Sequence, residues 1–316
     1  MNMNYARCMK GYLRNNMDSL LNIPITELIA QGNKIRKDFA GSRLELCSII
    51  NAKSGLCSED CKFCAQSSYH STDITHYPLK RKDEITKAAQ HAKEIGAEKF
   101  GIVTSGNRLS RKEIDTICLT ISEIKNKIHI IVCASLGVLS KEELEILKEA
   151  GLSRYHHNLE TSPRFYPQIV STHSFQERVD TINAAKEVGL EVCSGGIIGM
   201  GENWEDRIAM VHLLDDLDVD SVPINILVPI KGTPLESIEP ISCNDAIRTI
   251  AIFRIILKDK IIKIAAGREG ILKDFQALGF LAGANGMLIG GYLTIKGRDI
   301  EEDYRLIKEI KRLWTE

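Results

Sequence analysis

The chain has 316 residues, with 41 basic and 42 acidic side chains and a formal net charge of -1. No global field therefore recruits nucleic acid or an anionic membrane surface, and small-molecule partners are expected. Nine cysteines in a chain of this length, with no secretory leader and no run of about 18 uncharged apolar residues, point to a reducing, cytoplasmic setting. Clustered thiols there serve metals or catalysis more often than bridges.

Helical patterning covers residues 24–39, so residues 1–43 read as an N-terminal helical extension and 44–316 as one further domain. No linker, low-complexity stretch or short repeat divides the latter. Strand patterns recur at 44–51, 99–104, 128–135, 155–159, 190–194, 221–228, 261–265 and 286–289, with helical patterns between them. Ser110 with Glu113, Ser140 with Glu143 and Ser174 with Glu177 have capping-box spacing, and Gly96, Gly151 and Gly189 stand where those helices should stop. Strands alternating with helices predict an α/β fold, a (β/α)8 barrel of TIM type, with a doubly wound open sheet as the alternative. On a barrel the loops that leave the C-terminal strand ends carry the chemistry.

The loop after the first strand holds Cys57, Cys61 and Cys64 in a Cys-x3-Cys-x2-Cys run. Three thiolates hold three corners of a cubane iron-sulfur cluster and leave one iron open for chemistry. Completion by His70 or His76 would instead make a Cys3His zinc site. A second feature, Gly195-Gly196-Ile197-Ile198-Gly199-Met200-Gly201, lies between the fifth strand and a helix that begins near Asn203. It reads either as a place where main chain approaches an anionic ligand or as a tight strand-to-helix turn. Its spacing is not that of a dinucleotide fingerprint. Cys8, Cys118 and Cys243 read as inert thiols.

With Phe63 before the last cysteine, the run resembles the signature of the radical S-adenosylmethionine (SAM) superfamily. The stretches 57–67, 155–162, 192–196, 222–225, 231–235 and 266–269, in that order, resemble the biotin synthase family. That resemblance implies a 4Fe-4S cluster on Cys57, Cys61 and Cys64, with Phe63, Asn158, Glu160, Arg178, Gly195, Gly196 and Asn225 around SAM. It implies dethiobiotin as substrate at Asn158, Asn225 and Thr294, and an auxiliary iron-sulfur cluster, 2Fe-2S or larger, on Cys133, Cys193 and Arg268. A flavodoxin or ferredoxin as electron donor and a homodimer also follow from it. The alternatives are a related radical enzyme with another substrate, as in hydrogenase maturation, or a zinc-binding barrel without radical chemistry.

Some positions depart from the family pattern. Gly101 stands where a second-strand cysteine is expected, His156 replaces an asparagine, Glu160 replaces an aspartate and Ile295 replaces a threonine beside Thr294. Neighbouring strands lie about 4.7 to 4.9 Å apart. Cys47, on the strand beside Gly101, is therefore the expected replacement ligand for the auxiliary cluster.

Overall fold

The computed structural model describes residues 19–293 and 297–315. Their parallel strands are β1 Glu45–Lys53, β2 Lys99–Thr104, β3 Ile131–Ser135, β4 Arg154–His156, β5 Glu191–Cys193, β6 Gly196–Ile198, β7 Ser221–Ile226, β8 Ile261–Ile264 and β9 Gly286–Leu288. β1 pairs with both β2 and β9, and β7 takes up both β5 and β6, so the described strands close into a barrel. β5 and β6 are two halves of one stave, interrupted at Ser194 and Gly195. The nine segments thus make the eight staves expected, and the open sheet is excluded.

Strand periodicity decides what the barrel contains, because successive side chains point to opposite faces. Cys47 and Ile49, Lys99 and Gly101, Arg154 and His156, and Lys263 and Ala265 turn inward and line one cavity. Their neighbours Leu46, Phe100, Ile102, Tyr155, Val222, Ile262 and Ile264 are buried between barrel and helices. The helix starts follow the predicted chemistry. Ser110, Ser140 and Ser174 each accept the backbone N–H of the glutamate three residues on, whose carboxylate accepts the serine's own N–H. Gly96, Gly151 and Gly189 have φ of 79°, 112° and 74°, a region that disfavours side chains and ends the helices.

Of the predicted N-terminal extension, residues 1–18, including Cys8, lie outside the described residues. The helix Ile25–Ile35 runs into a π-helical turn Arg36–Ala40 and packs on the helix Cys243–Leu257. Arg248 donates to the carbonyls of Leu21 and Ile23 at 3.1 and 2.9 Å. Arg36 lies 4.0 Å from the ring centroid of Trp314 in the last helix. Among the described residues no helix is long and apolar enough to cross a membrane.

The barrel floor is ionic. Glu45, 1% exposed, meets Arg154 at 2.7 Å, Lys263 at 2.8 Å and Lys99 at 3.2 Å. Glu191 closes the set with 2.8 Å contacts to Lys99 and Arg154. Burial alone would raise the Glu45 pKa, but the three cations outweigh it and hold the carboxyl well below the usual carboxylate range. Removing that charge leaves buried cations without a partner, at a cost of about 3 to 5 kcal/mol. Glu45→Gln is therefore expected to lower the urea midpoint by that much stability, and a midpoint equal to wild type would contradict the charge assignment.

Candidate functional site

The cysteine loop is fixed by its own backbone before any ligand is considered. Cys57 N–H donates to Gln66 O at 3.0 Å, Ser68 N–H to Cys57 O at 2.8 Å and Cys64 N–H to Cys61 O at 2.9 Å. Asp60 accepts the N–H groups of Ser171 and Thr172 at 2.9 and 3.2 Å, which ties the loop to the segment before the helix Phe175–Glu187. Burial pushes the Cys61 thiol up, and it pushes Cys64 up to about 11 although the N–H groups of Gln66 and Ser67 favour its thiolate. Such thiols stay protonated until a metal displaces the proton.

Neither histidine completes a zinc set. His70 Nε2 lies 3.0 Å from Cys61 O, and the His76 ring packs on Gly55. Among the described residues no three His, Cys, Asp or Glu side chains converge on a single-ion site. Three thiols without a fourth protein ligand fit a cluster that keeps one iron open.

Below the loop is a cavity of about 400 Å³, lined at its mouth by Phe63, Cys64, Asn158, Glu160 and Asn225 and deeper by Cys47, Cys133 and Cys193. The structure thus brings together all three deeper thiols, Cys47 included. Gly101 is level with Cys133 on β3, and Ile49 Cγ2 occupies the space that a Cβ at Gly101 would enter, 3.0 Å from it. Burial pushes Cys47 upward and Cys133 up to about 12. Burial acts on Cys193 in the same sense, but Lys263, His156 and Arg154 outweigh it and bring that thiol down to about 6.

Arg268 is not itself among the residues that line the cavity. It follows Gly267, whose φ is 86°, and its guanidinium donates to Asp303 at 2.8 Å, to Gln276 at 2.5 Å and to Tyr292, a residue of the cavity wall, at 3.0 Å. The cation that does face the thiols is Lys263, whose Nζ is 3.2 Å from Cys47 Sγ. His156, paired in register with Cys193 and one of the groups that lower its pKa, is the second residue that sequence reasoning left out of the site. A lysine inside an otherwise apolar strand was the available signal for Lys263.

At the mouth, Asn158 donates to Glu160 at 3.3 Å and accepts Gly195 N–H at 3.1 Å. Glu160 is held at φ of 70°, unusual for a side chain larger than glycine and a form of local strain that collects at functional sites. Asn225 is laced between Gly196 O and Ala266 N–H, both at 3.2 Å. Arg178 stands behind this rim rather than in the cavity, donating to Asn158 O at 2.9 Å and lying 3.7 Å from Glu160. Thr294 and Ile295 lie outside the described residues.

The glycine-rich stretch resolves into packing. A Cβ on Gly195 would fall 2.0 Å from Pro223 O, and one on Gly196 would fall 2.5 Å from Glu160 O. Neither glycine lines the cavity. In the turn that follows, the Glu202 carboxylate accepts the N–H groups of Gly199 and Met200, both at 2.8 Å, so an internal side chain takes the place considered for an anionic ligand.

Residues 53–214 match the Radical SAM superfamily, and residues 223–311 match the Biotin and Thiamin Synthesis associated domain. The chain is 53% identical over 298 residues to a biotin synthase of Thermotoga petrophila, covering 94% of this chain and 98% of that protein. It is 47% identical over 286 residues to a biotin synthase of Clostridium acetobutylicum, covering 90% and 87%. Among solved structures it superposes on a methylornithine synthase with a TM-score of 0.81 at 21% identity, covering 94% of this chain and 92% of that one. An FeFe-hydrogenase maturase from Carboxydothermus hydrogenoformans gives 0.78 at 17% identity, covering 96% and 79%. At such identities these two share the fold.

The close approach at Gly195 yields a test. In Gly195→Ala the new methyl meets backbone rather than a flexible side chain, so the β5–β7 contact has to open. A loss of about 1 to 3 kcal/mol in denaturant unfolding is expected. Wild-type stability in that variant would show that the strands do not pack as described.

Proposed function

Because the chain belongs to the biotin synthase family of the radical SAM superfamily, we propose that it converts dethiobiotin to biotin, inserting one sulfur between two unactivated carbons. The observation that carries the reading is the single cavity with Cys64 at its mouth and Cys47, Cys133 and Cys193 at its depth. Unactivated C–H bonds are beyond any side-chain base, since no protein group has a pKa suited to them. The resident groups therefore supply the chemistry. Cys57, Cys61 and Cys64 would hold a 4Fe-4S cluster that, together with SAM, would supply radical hydrogen abstraction, and an auxiliary iron-sulfur cluster would supply the sulfur.

The chain's own residues bind, orient and exclude. Cys57, Cys61 and Cys64 hold the first cluster, in a loop whose hydrogen bonds are already made. Asn158, Glu160 and Phe63 form the rim that receives SAM, and Asn158 and Asn225 face the substrate. Arg178, Gly195 and Gly196 serve that rim from behind. Cys47, Cys133 and Cys193 hold the auxiliary cluster, and Lys263 replaces Arg268 as the cation beside it. Lys99, Arg154 and Lys263 outnumber Glu45 and Glu191 on the floor, an excess that favours thiolates and sulfides above it. A flavodoxin or ferredoxin supplies the electron, and the enzyme works as a cytoplasmic homodimer with residues 1–43 as a helical extension of the barrel.

Three measurements test the reading. Anaerobic incubation with dethiobiotin, SAM and a reductant is expected to yield biotin and 5'-deoxyadenosine by mass spectrometry; 5'-deoxyadenosine without biotin would point to another substrate. Cys61→Ala is expected to abolish 5'-deoxyadenosine while a second cluster remains visible by spectroscopy. Cys47→Ser should do the reverse, sparing SAM cleavage and losing both the auxiliary cluster and biotin. A Cys47→Ser enzyme with full auxiliary iron would remove that residue from the ligand set.

A further inference from the structure

Behind the rim, a chain of hydrogen bonds joins the cysteine loop to the strand end that carries Asn158 and Glu160. Arg178, 9% exposed, donates from Nε to Tyr166 OH at 2.7 Å, from Nη1 to Asn158 O at 2.9 Å and from Nη2 to His173 Nε2 at 2.9 Å. A guanidinium has no acceptor, so His173 Nε2 has to offer its lone pair. The ring proton then sits on Nδ1, which donates to Glu59 Oε2 at 2.6 Å. One neutral tautomer of His173 satisfies both neighbours. The imidazole is only 8% exposed and is also packed edge-on against Tyr166, with ring centroids 5.9 Å apart. Glu59 lies between Cys57 and Cys61 in the loop, while Asn158 and Glu160 line the cavity.

We propose that His173 is a positioning residue for SAM: through Glu59 on one side and Arg178 on the other, it holds the cluster loop and the Asn158–Glu160 rim in one frame. The inference rests on the SAM-binding reading above. SAM would have to meet both parts at once, the cluster that the loop would hold and the rim. A loop and a rim that drift apart by a fraction of a hydrogen-bond length lose one set of contacts or the other. The bond to Arg178 is charge-assisted and buried, the class whose loss is felt most.

The test is equilibrium dialysis of SAM against the anaerobically reconstituted, unreduced enzyme, with iron per chain measured in parallel. His173→Phe keeps a ring but neither nitrogen and is expected to bind SAM about tenfold more weakly at unchanged iron content. His173→Asn, which retains the bond to Glu59 but stops short of Arg178, should weaken SAM similarly. His173→Gln places an amide oxygen toward Arg178 and an NH2 group toward Glu59, and is expected within about twofold of wild type. Wild-type affinity in His173→Phe or His173→Asn would overturn the proposal, as would equal weakening in His173→Gln, which would mean that the hydrogen-bonded bridge from Glu59 to Arg178 is not what sets the SAM affinity. If the wild-type enzyme with full iron bound no SAM, the underlying reading would fall as well, so the two failures are distinguishable.

Discussion

A carboxylate sealed at the foot of a barrel stays ionised only if cations reach it from several strands, and Glu45 is met by Lys99, Arg154 and Lys263 from β2, β4 and β8. That requirement sets much of what lies above it. The three cations reach one floor from three strands, and Cys47, in register with Lys99, Cys133, in register with Arg154, and Cys193, in register with His156, face the same space. Ionic groups inside a barrel are a poor source of stability, because desolvation takes back most of the Coulomb attraction. Their value here is chemical. They leave a positive excess under three thiols, in a cavity where an anionic inorganic group needs counter-charge.

The upper half of the cavity follows a different logic. At the cavity mouth amide and carboxylate side chains stitch strand ends together through main-chain groups. Asn158 reaches Gly195, Asn225 reaches Gly196 and Ala266, and Arg178 reaches back to Asn158. Close contact of β5 and β6 with β7 and with the Glu160 carbonyl is possible because residues 195 and 196 carry no side chain. The glycines act through packing, which places the rim. The left-handed backbone at Glu160 is part of the same arrangement, since its carbonyl has to meet Ile197 N–H at 2.8 Å.

The legible parts of this chain were those whose chemistry is local in sequence. The cysteine run announces a cluster because its ligands lie within one loop, and the three serine-glutamate boxes announce helix starts because capping acts over three residues. Cys133 and Cys193 were placed by the resemblance to a known family, and Cys47 because its strand lies beside the one in which Gly101 stands for the family cysteine. Register and chain direction at loop exits were less legible. Lys263 and His156 become neighbours of the thiols only once β8 and β4 are set beside their partners. Arg268, five residues beyond Lys263, was assigned to the auxiliary cluster by the family resemblance, and nothing in its immediate sequence reveals its bonds to Asp303. The split of the fifth stave went unseen for a similar reason, since Ser194-Gly195 looks like the end of a strand when its pairing with β7 is unknown.

The central claim is that one barrel cavity holds two chemically distinct iron-sulfur groups, one with an open iron at the mouth and one enclosed by thiols and cations at depth. Mössbauer spectroscopy of the enzyme reconstituted anaerobically with 57Fe, before and after SAM is added, tests it most directly. The account predicts two sets of iron signals, of which only one changes on SAM addition, and there at a single iron site. A single set of signals, or a protein that takes up zinc in place of iron at the cysteine loop, would contradict it.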